Sequence, residues 1–213
     1  MSDRASVTTI GDGDIAGLLH TPARADGRGM VLTHGAGGNA RAPLLAACAE
    51  TFAAAGVTVL RYDLPFRQKR GAGPPHPSAS PADRAGLRDA VAWLGARVAG
   101  PVWLGGHSYG GRQASMLAAE QPDVAAALLL LSYPLHPPGK PAQLRTAHFP
   151  NLRTRALFVS GDRDPFGAPD EMKDAIAAIP APTALMIVAG AGHDLKRGRI
   201  DIAPVLAALS AEN

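Results

Sequence analysis

Short, uniformly apolar runs and longer helix-period segments succeed one another along most of the chain. Val7–Ile10 and Ile15–His20 flank Gly11-Asp-Gly13, which predicts a hairpin. Met30–Thr33, Val57–Tyr62, Val102–Leu104, Leu128–Leu131, Ala156–Ser160 and Ala184–Val188 read as strands, and most show no alternation of apolar and polar positions. Between them the pattern predicts helices over Arg41–Ala55, Pro81–Val98, Tyr109–Ala119, Pro169–Ile179 and Ile200–Ser210. Asn39 and Ser80 are the expected N-caps of the first two, with Pro81 at the first helical position and Gly56 as a stop.

Strands that are apolar throughout must be buried on both faces, and a helix between each pair supplies the cover. The expected architecture is therefore α/β, a mostly parallel sheet with helices on both sides, folded as a single domain over residues 1–213. Ten of the 19 prolines fall in two windows, Pro65–Pro81 and Pro134–Pro150, each directly after a predicted strand. In an open parallel sheet such loops lie outside the strand C-termini, where ligands bind.

Composition removes several alternatives. With 46% hydrophobic and 18% charged residues the chain is too apolar for disorder. Its longest apolar run, Ala125–Leu131, is strand-sized rather than membrane-spanning. Met1-Ser-Asp-Arg is not followed by an apolar leader, and the single cysteine, Cys48, is expected to fill core space; a cytoplasmic location follows. A net charge of +3 and 5% aromatics argue against a nucleic-acid partner, and the same sequence carries neither a membrane anchor nor a signal for an oligomeric state.

The chemistry concentrates at predicted strand ends. Gly106-His-Ser-Tyr-Gly110 matches G-x-S-x-G, preceded by a strand and followed by a helix. On such a turn Ser108 is a candidate nucleophile, and the glycines let the two backbones touch. Leu32-Thr-His-Gly-Ala-Gly-Gly38 follows an earlier strand and can supply a second oxyanion amide, from Ala36 or Gly37, beside that of Tyr109. This loop lacks phosphate-loop spacing, and His34 is expected to orient it. Gly190-Ala-Gly-His-Asp194 offers His193 as a base in a mobile-looking glycine loop; His107 is expected to point away from the pocket, and His20 and His76 lack a chemical context. Ser160-Gly-Asp-Arg-Asp-Pro-Phe-Gly167 offers two carboxylates, Asp162 and Asp164, of which Asp164 in the proline turn is preferred as the histidine's partner. The order Ser108, Asp164, His193 is that of α/β-hydrolases, not of chymotrypsin- or subtilisin-like enzymes.

On these motifs, together with Leu60–Phe66, Leu131-Ser-Tyr-Pro-Leu-His-Pro-Pro-Gly-Lys-Pro141 and Asp164-Pro-Phe-Gly167, the chain resembles the compact α/β-hydrolases of the dienelactone-hydrolase-like kind. Within them it is most similar to a small prokaryotic subgroup related to testis-expressed hydrolase-like proteins. The resemblance implies Ser108, Asp164 and His193 as the triad, and an antiparallel strand near the N-terminus. Dienelactone hydrolases proper use a cysteine nucleophile, whereas this chain has a serine.

The expected activity is hydrolysis of small esters through an acyl-enzyme, losing rate below about pH 6 as an imidazole base protonates. A peptidase, thioesterase or lactonase would use the same machinery, and a non-catalytic binding protein could occupy the same scaffold. Residues 134–155 are too few and too proline-rich for a multi-helix cap, which predicts a shallow, open pocket that favours small soluble esters over long-chain lipids. Arg67 and Lys140, with Lys69, Arg70 and Arg145, lie in the two proline-rich loops and are candidates for holding an anionic substrate group. No metal-ligand spacing and no cofactor motif is present.

Overall fold

The computed structural model describes residues 5–196 and 201–211. One eight-stranded sheet runs through it in the order β1-β2-β4-β3-β5-β6-β7-β8. The strands are β1 (Ser6–Asp12), β2 (Ile15–Thr21), β3 (Gly29–Thr33), β4 (Thr58–Tyr62), β5 (Val102–His107), β6 (Leu128–Leu131), β7 (Ala156–Gly161) and β8 (Thr183–Val188). β1 and β2 form the hairpin, β2 lies antiparallel to β4, and every pairing from β4 to β8 is parallel.

Alternate strand residues feed two cores, because side chains alternate across a sheet. Val31, Leu104, Leu128, Leu130 and Phe158 point to one face, where they meet α3 (Ser80–Gly95), α4 (Tyr109–Glu120) and Met172 of α5 (Pro169–Ile176). Met30, Leu32, Trp103, Leu129 and Leu131 point to the other, under α1 (Pro43–Ala54) and α6 (Ile202–Ser210). Burial on both faces is why these strands read as unbroken apolar runs.

Helix ends differ from the sequence reading for local reasons. Asn39 does not cap α1: its Oδ1 accepts from Arg41 N–H (2.8 Å) in the preceding turn, and the helix starts at Pro43. Ser80 lies inside α3, and its hydroxyl donates to Gln113 Oε1 (2.7 Å) on α4. α3 and α5 stop at Gly95 and Ile176, short of Val98 and Ile179. Gly56, at φ +93°, ends the first helix region as expected. The reading also missed α2 (Pro65–Lys69), a single turn that Pro65 starts inside the first proline window. Asp201 caps α6 by accepting from Ala203 N–H (3.1 Å); the expected start at Ile200 lies outside the described residues.

Both proline-rich segments follow strand C-termini, β4 and β6. The β6–β7 connection holds only one 3₁₀ turn (Phe149–Asn151), so no cap domain covers the sheet edge. Among the described residues no helix is long and apolar enough to cross a membrane.

His148, in that connection, packs its Nε2 2.8 Å from Ser115 Oγ on α4. Burial, then the positive charges of Arg112 and Arg84, push its pKa down to about 4. An unfolded histidine protonates near 6.5, so in the interval below that value the unfolded chain binds the extra proton. Stability associated with His148 is thus complete above about pH 6.5 and is lost as the pH falls toward 4. Urea unfolding across this range should show declining stability, with a shallower decline in His148→Gln; identical slopes would disprove the linkage.

Candidate active site

Ser108 sits between β5 and α4 at φ 51° and ψ −114°, a sparsely populated conformation that costs on the order of 1–3 kcal/mol. The surrounding glycines explain how it is held. A Cβ on Gly106 would stand 2.6 Å from Gly110 C and Gly111 N, and one on Gly110 would stand 2.6 Å from His34 O. Backbone therefore packs on backbone where β5 turns into α4, and no side chain fits. Ser108 N–H donates to Leu131 O (2.8 Å), which fastens the turn to β6.

The three residues expected to act together do meet. His193 Nε2 lies 2.9 Å from Ser108 Oγ, and its Nδ1 lies 2.9 and 3.0 Å from the two oxygens of Asp164. Asp164 is buried and also accepts from Phe166 N–H (2.9 Å), so its carboxylate is fixed from two sides. Asp162 stays exposed in the same turn and does not reach the imidazole. Gly161 makes the approach possible, since a Cβ there would lie 2.2 Å from Ala191 O in the histidine loop. The Phe166 ring lies across the His193 ring at 4.2 Å, tilted by 31°.

His107 overturns one expectation. Rather than pointing away, it lines the cavity beside Ser108, and its Nε2 lies 2.8 Å from His193 O. A carbonyl only accepts, so the imidazole donates and carries its proton on Nε2. Burial pushes the His107 pKa down and keeps it neutral. Its ring thereby anchors the loop of His193 to the serine turn. The motif position gave no hint of this, because the bond spans 86 residues of sequence.

The loop after β3 is a tight turn closed by Gly38 N–H to Gly35 O (3.0 Å). Its central amides, those of Ala36 and Gly37, donate to no described residue, and neither does Tyr109 N–H. The two peptide units that carry the loop amides are held from behind. Gly35 O accepts from His34 Nδ1 (2.9 Å), while His34 Nε2 accepts Leu64 N–H (3.2 Å), which fixes the tautomer. Ala36 O accepts from Arg67 Nη2 (3.0 Å). His34 thus orients the loop, as the sequence suggests, and burial lowers its pKa. The Tyr109 side chain turns elsewhere and donates to buried Asp83 (2.7 Å).

None of the five candidates for anion binding, Arg67, Lys69, Arg70, Lys140 and Arg145, lines the cavity. Arg67 is 6% exposed and donates to the carbonyls of Arg70, Ala36 and Gly73, so its charge braces the loop of Ala36. Lys140 is exposed in the second proline window. The cavity, about 650 Å³, opens not between the proline-rich loops but along α1, where Leu44, Ala47, Cys48 and Thr51 form its wall opposite Leu195 and Lys196. Cys48 is buried against the core and also borders this space, with its thiol pushed up to about 11 by burial. Among the described residues no group of three or more His, Cys, Asp or Glu is placed to hold a metal ion.

A parallel sheet with a strained serine between strand and helix, and a histidine and aspartate delivered by the last two strand ends, defines the α/β-hydrolase class. Residues 26–203 match the alpha/beta hydrolase domain family, and the chain belongs to it. Solved structures agree on the fold. A dienelactone hydrolase from Anabaena variabilis is 22% identical and superimposes with a TM-score of 0.68 over 97% of this chain and 92% of its own. An α/β serine hydrolase without lid from Xanthomonas campestris is 18% identical, at 0.71 over 98% and 94%. Est1E from Butyrivibrio proteoclasticus, with ferulic acid bound, is 18% identical, at 0.70 over 95% and 96%.

The His107 bond generates a measurable expectation. A hydrogen bond of this kind is worth about 0.5–1.5 kcal/mol, so His107→Ala should slow Ser108 modification by a serine-directed probe roughly threefold to tenfold. His107→Gln, whose amide can donate from a similar position, should recover most of that rate. Equal rates in all three proteins would show that the contact positions nothing.

Proposed function

We propose that the protein is a serine hydrolase that cleaves carboxylic esters of small molecules through an acyl-enzyme, acting in the cytoplasm as a single domain. The observation that carries this reading is the unbroken chain from Ser108 Oγ through His193 to the buried Asp164.

In this reading His193 Nε2 takes the Ser108 proton as Oγ attacks the ester carbonyl. Asp164 holds the proton on Nδ1 and balances the imidazolium that forms. The carbonyl oxygen, now negative, accepts from Tyr109 N–H and from the Ala36 or Gly37 amide. All three amides lack a competing partner among the described residues, and removal of one such donor typically costs on the order of 10²–10³ in turnover. Collapse of the intermediate breaks the carbon–oxygen bond, and the leaving alkoxide takes the proton from His193. Water then repeats the sequence: it loses a proton to His193, attacks the acyl carbon and releases the acid, and Ser108 regains its proton. The N-terminus of α4 adds favourable potential at the oxyanion. The serine hydrolase of Xanthomonas campestris, which shares the fold and the missing lid, supports the same assignment.

Incubation with a fluorophosphonate should add one covalent label at Ser108, and the wild type should hydrolyse p-nitrophenyl acetate. Ser108→Ala should lose both, while keeping its unfolding temperature. A folded wild type that resists the probe at neutral pH would leave a binding protein on a hydrolase scaffold as the better account.

A further inference from the structure

We infer that the substrate of this site carries an apolar aliphatic chain, held in the channel between α1 and the His193 loop. The inference rests on the hydrolase reading and adds to it the chemical class of the group beside the scissile bond.

The geometry of α1 is the starting point. Leu44, Ala47, Cys48 and Thr51 recur at intervals of three, four and seven, and so share one stripe of the helix. All four border the cavity that also contains Ser108, Gly35 and His193. At 1.5 Å per residue the stripe extends the channel about 10 Å from its start at Leu44. A second stripe of the same helix, Leu45, Ala49 and Phe52, is buried against the sheet, and Leu45 also borders the cavity.

The chemistry of the wall selects the occupant. Thr51 Oγ1 donates to Ala47 O (2.8 Å) within its own helix, so the hydroxyl's proton is already engaged. The Cys48 thiol stays protonated at any physiological pH, and Leu44 and Ala47 have no side-chain polar atoms. Lys196 and Asp194 border the channel, but they pair with each other at 3.1 Å and present no net charge. Among the described residues a polar or anionic tail would find few partners along this wall. An aliphatic tail gains with each buried carbon, and among the described residues the α1 side of the channel carries no aromatic ring. The volume of about 650 Å³ also exceeds what an acetyl group fills and lies within the usual range for substrate-sized ligands.

Both halves of an ester could supply the chain, so two substrate series are needed. One varies the acyl chain of p-nitrophenyl esters from acetate to decanoate; the other varies the alcohol of acetate esters from ethyl to decyl. In one of the two, kcat/KM should rise about fourfold per methylene until the channel is full. Ala47→Trp, on an exposed position, should reduce the long-to-short ratio in that series at least tenfold, and Thr51→Trp provides the same test if the first variant unfolds. Inhibition by straight-chain alkylboronic acids should strengthen with length in the same way. Flat dependence in both series, with ester hydrolysis present, would overturn the channel and leave the hydrolase reading standing. Absence of both turnover and fluorophosphonate labelling would overturn the two together.

Discussion

The close crossing of β5 and α4 at Gly106, Gly110 and Gly111 is the constraint on which the remaining architecture depends. With backbone atoms in direct contact, the chain must reverse within one residue, and that residue is Ser108. Its unfavourable dihedral angles persist because neighbouring strands over-determine them. Gly106 is paired with Thr33 of β3 and His107 with Leu131 of β6, while Ser108 N–H is tied to Leu131 O. The sheet core thus stabilises a conformation that an isolated turn would abandon.

Around this fixed point the loops are braced by groups whose protonation is set by burial. His34 can accept Leu64 N–H and donate to Gly35 O only as a neutral imidazole. His107 donates to His193 O through Nε2, and its Nδ1 lies beside Gly35, where an added Cβ would stand 3.1 Å from it. Burial lowers both pKa values and so favours the required neutral state. Arg67 works in the opposite way. Its permanent charge is largely dissipated on three backbone carbonyls, one of them in the loop of Ala36 and Gly37.

What could be read from the sequence follows from the range of the interactions involved. The serine turn was legible because its constraint is local: strand, two spaced glycines, helix. Asp164 could be separated from Asp162 because Pro165 lies directly beside it and places it in the turn. His193 stood out as the histidine in a glycine loop at a strand end. The parallel sheet was legible because burial on both faces leaves an unbroken apolar signature. By contrast, the roles of His107 and Arg67 depend on contacts across 86 and 31 residues, and nothing in their neighbours announces them. Arg67 was misplaced for an instructive reason. A cation in a loop at the ligand-binding edge looks available for substrate, yet proline-rich turns leave carbonyls without partners, and a nearby guanidinium satisfies them first.

The same logic explains why the cavity lies where it does. Without a cap over the strand ends, a pocket can be walled only by elements already needed for the fold. The loops after β4 and β6 turn their polar groups inward: Arg67 onto Gly73 O, Tyr133 onto Arg145 O and Arg145 onto Pro134 O. Having closed on themselves, they leave α1 as the remaining wall beside Ser108. α1 must therefore present two apolar stripes, one to the sheet and one to the cavity, which makes it look in sequence like an ordinary core helix. Cys48 sits at the boundary between those stripes, buried by the core and yet bordering the channel. A helix that serves both packing and substrate contact cannot be recognised from periodicity, because hydrophobic burial by protein and by substrate place the same demand on a side chain.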